Sequence, residues 1–310
     1  RAFNEGFMML HTAILAFLAC LTAACGGQPD DREEGRSDAG NPLLWEIARA
    51  DGPNAGQVEG WLLGTIHALP NDASWRSKET DQAIAQADVL AVEVADVGDG
   101  RAMASAFLPL AGQPPLTERV PPRQRAKVAE LVDKTSYRLS DFSRIESWGA
   151  ALILAQAVKT GAKSENGIDR ALIDDFSSRR VIELEGAPAQ FAAFDGLSEK
   201  AQRAMLAAIV EDSGESPAKL REPIDLYLAG DAEGLERLTH EGMLRDPEIR
   251  TTLLTRRNAD WAAKIDRMLA AEPLPLVAVG AAHMVGEDGL VARLEAKGYR
   301  VTRIGGRAAP

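Results

Sequence analysis

The chain is poor in residues that cross-link a fold. Its 310 residues include two cysteines and four histidines, and both cysteines, Cys20 and Cys25, fall near the start. If Cys25 is acylated, Cys20 is lost with the leader and no second thiol remains, so disulfides contribute nothing even in a compartment that permits them. Positive charge is also short, with 35 basic against 46 acidic residues and a formal charge of -11. No basic stripe offsets the deficit, which argues against nucleic acid as a partner. Long internal repeats and a local His-Glu-x-x-His helix are absent as well. What is present is 45% hydrophobic and 26% charged residues, enough for one large core or two modest ones and incompatible with general disorder.

Met8 to Ala24 is almost wholly apolar or small and runs into Leu21-Thr22-Ala23-Ala24-Cys25. It is short for a spanning helix, and small residues before a cysteine read as an export signal with a bacterial lipobox over 1–25, lipidated at Cys25, the alternatives being simple cleavage of an export signal or an uncleaved anchor. Residues 26–41 are polar and glycine-rich, a flexible tether. The expected location is the cell envelope or periplasm, with a membrane contact through the lipid.

From residue 42 to 306 the pattern is that of one mixed α/β domain. Strand-like runs at Leu43–Ala48 and Val58–Ile66 suggest a hairpin, and Val89–Val94 is a strand covered on both faces. A helix-dominated stretch over about 120–250, interrupted by a short strand at Val181–Leu184, forms a cap. A long helix Pro247–Ala270, strand Leu276–Gly280, helix Gly289–Lys297 and strand Tyr299–Ile304 complete the chain. The two ends of the sequence therefore meet in one mixed sheet of about five or six strands.

Two histidines share a frame. Gly64-Thr65-Ile66-His67 and Gly280-Ala281-Ala282-His283 each close an apolar run, with a glycine that permits a tight turn or close approach. Each could be a hydrogen-bonded structural residue, or the pair could share a site. Glu93, at the end of an apolar strand, needs compensation, either a buried salt bridge to Arg256 or Arg257 or a role as metal ligand or general base. Two imidazoles and a carboxylate are a familiar shell for a divalent ion that activates water. Glu183 and Glu185 share a face of the short strand, and Glu185 is a candidate second carboxylate. Helical spacing puts Arg257 and Trp261 on one face. Asp169 reads as an acidic residue favouring a helix start, His240 as a surface histidine, and Trp45, Trp61 and Trp148 as packing.

These fragments, with Leu44-Trp45-Glu46-Ile47, Gly167-Ile168-Asp169 and Arg256-Arg257-Asn258, resemble in order the TraB/GumN family, related to the Tiki metalloproteases and more distantly to erythromycin-esterase and ChaN-like proteins. Met284 and Gly186 stand where leucine and threonine are frequent. The resemblance implies an active site at His67, His283 and Glu93, with Arg257 and Asn258 as its Arg-Asn pair. The resulting expectation is a hydrolase dependent on Mn, Co or Zn and acting on a peptide or small polymer. His67, Glu93 and His283 hold the ion, Glu185 or Glu93 takes the proton, and Arg257 or Asn258 stabilises the oxyanion. The alternatives are a protein that sequesters a peptide or saccharide without cleaving it, and an inactive polar network.

Overall fold

A computed structural model describes residues 43–95 and 112–305. The leader, Cys25 and the tether lie outside the described residues. Six strands form one sheet: β1 Leu44–Arg49, β2 Val58–Thr65, β3 Val89–Val92, β4 Arg180–Glu183, β5 Pro275–Gly280 and β6 Tyr299–Ile304, in the order β4-β3-β5-β2-β1-β6. β1 pairs antiparallel with β2 and β6, while β2–β5, β5–β3 and β3–β4 are parallel. The strand formed near the C-terminus is thus wedged between two formed near the N-terminus. β3 and β5 are buried along their whole length, which explains why they read as unbroken apolar runs with no alternation. Pro275 opens β5, a place where a missing N–H is tolerated.

Parallel pairing has a geometric consequence. Thr65 lies opposite Gly280, and Val92 opposite both Ala278 and Glu183, so four strands end along one edge of the sheet. Each candidate residue follows one of these ends: His67 after β2, Glu93 after β3, Glu185 after β4 and His283 after β5. In open α/β sheets, ligand sites form beyond such carboxyl ends.

Eleven α-helices are formed among the described residues: α1 Lys78–Gln86, α2 Arg125–Val132, α3 Ser147–Ala155, α4 Ile168–Asp175, α5 Ala187–Asp195, α6 Glu199–Asp212, α7 Pro217–Ala229, α8 Ala232–Leu238, α9 Pro247–Arg250, α10 Arg256–Ala271 and α11 Leu290–Glu295. Two apolar cores result. One encloses the sheet and draws in Ile168 and Leu172 of α4, Ile224 and Tyr227 of α7, and Leu235 of α8. The other is helical, with α3 buried on all sides and Trp148 stacked near Phe191 and Phe194 at centroid distances of 6.3 and 5.8 Å. The expected long helix Pro247–Ala270 contains a π-helical turn, Thr251–Thr255. It leaves Leu253 in the helical core and turns Arg257 and Asn258, adjacent in sequence, both inward. No helix of the described residues is long and apolar enough to cross a membrane.

Candidate active site

Five side chains from distant parts of the sequence form one buried cluster. His67 is 5% exposed, Glu93 2%, Arg257 6%, Asn258 1% and His283 0%. At such depth every polar atom needs a partner.

His67 is fixed from behind by the start of α4. Its Nδ1–H donates to Asp169 Oδ2 at 2.5 Å, and Thr65 Oγ1, two residues earlier on the same strand face, donates to Asp169 Oδ1 at 2.7 Å. This approach requires glycine at position 167, where a Cβ would stand 2.3 Å from the carbonyl oxygen of His67. Asp169 is therefore part of the site and does more than favour a helix terminus.

His283 has a different support. Asn258 Nδ2 donates to the Asp288 carbonyl at 2.9 Å, which orients the amide so that its Oδ1 accepts from His283 Nδ1–H at 2.5 Å. Nε2 then carries the lone pair and accepts from Arg257 Nη1 at 3.4 Å, while Trp261 packs 4.5 Å from the imidazole centroid. Asn258 thus has both ends of its amide engaged. In this arrangement Asn258 holds the orientation of His283.

Arg257 lies at the centre. Its Nη2 donates to Glu93 Oε2 at 2.7 Å and also to Glu185 Oε1, and its Nε donates to Glu185 Oε2 at 3.0 Å. The guanidinium lies over the Trp261 ring, 4.5 Å from its centroid. Glu93 Oε1 accepts from the Gly280 backbone N–H at 2.8 Å. Of the two arginines weighed as partner to Glu93, Arg257 is the one; Arg256 is exposed. Glu183 stays apart, accepting from Ala95 N–H, because β4 ends there and the chain turns before Glu185.

Gly280 is where the two imidazoles and Glu93 converge. A Cβ on it would stand 3.3 Å from Glu93 Oε1, 3.6 Å from His283 Cδ2 and 3.9 Å from His67 Nε2. Burial, the largest influence on Glu93, would raise its pKa, but Arg257 and the two imidazoles hold it down at about 2. It is a carboxylate committed to its partners and a poor base. Burial drives His283 down to about 3 against the pull of Glu93, so its imidazole is neutral. Burial also depresses His67, yet Asp169, with help from Glu93, outweighs it and leaves the pKa raised. Glu185 is raised by burial despite Arg257.

The donors are right in kind for a metal ion, since both Nδ1 atoms are anchored and both Nε2 atoms face the cluster. Their disposition is not. Both Glu93 oxygens are engaged, Arg257 stands between Glu93 and His283, and among the described residues no group of three or more His, Cys, Asp or Glu could hold an ion. As arranged, these residues hold a guanidinium.

His240 is exposed in the turn after α8, and Trp45, Trp61 and Trp148 are core residues. No curated protein and no solved structure matches the chain. A sequence model of the TraB/PrgY/gumN family matches residues 43–303, nearly the whole of what the structure describes. The chain belongs to the TraB/PrgY/gumN family.

Proposed function

We propose that the chain is a hydrolase of peptide-like bonds in which His67 is the general base and Arg257 the fixed positive charge. The observation that supports this best is the asymmetry behind the two imidazoles: only His67 is backed by a carboxylate, with Nδ1–H on Asp169 and Nε2 facing the cluster. Nε2 takes a proton from water as the oxygen attacks the carbonyl, and Asp169 stabilises the imidazolium that forms. The same proton then passes to the leaving amine. Arg257, immobilised by Glu93 and Glu185, faces the negative charge that develops on the carbonyl oxygen. Because its partners already fix it, little reorganisation accompanies the reaction.

A second reading is that His67, Glu93 and His283 hold Mn, Co or Zn. It is favoured by the anchored Nδ1 atoms and by the two carboxylates, Glu93 and Glu185, that share the Arg257 guanidinium, and it requires Arg257 to withdraw from Glu93. The envelope location with a lipid at Cys25 is part of the proposal and rests on residues 8–25 alone. Labelled fatty acid incorporated by the wild type and not by Cys25→Ala checks it.

The decisive experiment incubates the full chain with a mixture of peptides and reads fragments by mass spectrometry, with and without chelator. Fragments formed in chelator and absent with His67→Gln support the histidine mechanism. Chelator-sensitive cleavage restored by one of the three ions moves the account to the second reading. Intact peptide bound saturably means sequestration, and the hydrolase proposal is wrong.

A further inference from the structure

His67, Glu93 and His283 are buried, so a substrate has to reach them past neighbouring elements, and one cavity ends on their own frames. It has a volume of about 430 Å³ and lies among α6, α7, α8 and the turn Gly242–Arg245. Its floor includes Ile66, Ala281 and Ala282, which adjoin His67 and His283 in sequence. Ile209, Leu235, Leu238 and Met243 make its sides apolar. The size falls in the range of small-ligand sites and suits one or two side chains.

The charged part of the lining is mainly acidic. Glu211, Asp212, Glu215, Glu222 and Glu241 face it, against Lys219 and Arg245. Lys219 and Arg237 are occupied by Glu222 and Glu241, and Arg123 lies 3.7 Å from Glu211. Asp212 and Glu215 have no ion-pair partner among the described residues. Burial, with the neighbouring carboxylates of Glu215 and Glu211, pushes the pKa of Asp212 up although Lys127 and Lys219 pull against it.

We infer that this cavity takes an apolar side chain of a peptide and that Asp212 and Glu215 bind a cationic group beside it, so the substrate class is basic, apolar peptides. The idea that the occupant is a substrate rests on the hydrolase reading; its binding does not. Charge complementarity at the mouth selects the partner, and the apolar interior seats the neighbouring side chain close to the histidine frames.

The test measures binding and cleavage separately, using the full chain and two fluorescent hexapeptides that share a leucine and differ only in carrying lysine or glutamate beside it. Fluorescence anisotropy should show the leucine-lysine peptide bound at least about tenfold more tightly than its acidic twin. The double variant Asp212→Asn/Glu215→Gln should lose about tenfold for the lysine peptide, and Ala208→Trp, which fills the cavity, should abolish binding. His67→Gln should bind as the wild type does. Equal binding of the two peptides, wild-type affinity in the double variant, or no binding of either peptide overturns the inference. If Ala208→Trp melts early, the double variant, altered at less buried positions, decides alone. Lysine peptide bound as expected but left intact defeats the hydrolase reading and leaves the cavity assignment standing.

Discussion

His67 backs onto a carboxylate and His283 onto an amide, although both arrive in a Gly-x-x-His frame at the carboxyl end of a parallel strand. Burial presses both toward the neutral form. In the first frame Asp169 reverses that pressure and the imidazole holds its proton more tightly than usual; in the second, Asn258 offers no charge and the imidazole stays neutral to about pH 3. The backbone frame therefore fixes where an imidazole stands, and the residue behind its Nδ1 fixes what it can do. That residue comes from a separate helix in each case, α4 or α10.

The sharpest way to break this comparison is to remove one member of each half. His67→Gln should slow hydrolysis by about 10²–10⁴-fold, whereas His283→Gln, altering a neutral partner of Arg257, should cost less. Reversed effects in peptide-cleavage rates would exchange the roles. Arg257→Met should be the most damaging to the fold. It leaves Glu93 and Glu185 buried without a cation, at a cost of about 3–5 kcal/mol read from urea unfolding.

Acid should act on the two halves with opposite signs. Glu93 holds its proton less tightly folded, at about 2, than at its ordinary 4.5. Its contribution to stability is therefore complete above the ordinary value and is lost as pH falls from 4.5 toward 2. His67, raised when folded, contributes fully below its ordinary 6.5 and loses that contribution as pH climbs through the raised value. Its activity runs the other way, since the base must be neutral: cleavage should increase with pH across the same interval. Urea midpoints across pH for wild type and Glu93→Gln, with a pH–rate profile, check both. The smallest effect expected is from Asn258→Asp, which gives the second frame the first frame's carboxylate. It should raise the pKa of His283, seen in its NMR titration, with little change in fold.

Much of this was legible in the sequence, for physical reasons that also mark where legibility ended. Doubly covered strands write themselves as apolar runs, so β3 and β5 fall within a residue or two of expectation, and the edge strand β6, alternating buried and exposed residues at its start, falls at its observed limits. Helix α5, Ala187–Asp195, lies in the helix-dominated stretch, and its start is hard to see because Gly186 and Pro188 also suit a loop; a proline in the first helical turn starts a helix as readily as it breaks one. The frames pointed to His67 and His283, and a carboxylate ending an apolar strand pointed to Glu93. Asp169 was weighed only as a helix-start residue, since its partner lies 102 residues away. Thr65 and His67, two polar side chains on one face of a buried strand end, were the available signal that something polar had to meet them. The spacing that puts Asn258 beside Arg257 carries no sign of its hydrogen bond to His283, 25 residues on. Spacing reports which side chains share a face, but not which of two polar neighbours each will satisfy.

The paired histidines differ in protonation, His67 being the one placed to exchange a proton in the functional range. The direct measurement is a ¹⁵N NMR titration of the wild-type imidazoles, assigned with His67→Gln and His283→Gln. His67 should show its transition above the ordinary 6.5, and the His283 ring should stay neutral, protonated on Nδ1, until the pH approaches 3. Two rings titrating together near the ordinary value, or His283 titrating above His67, would contradict this difference.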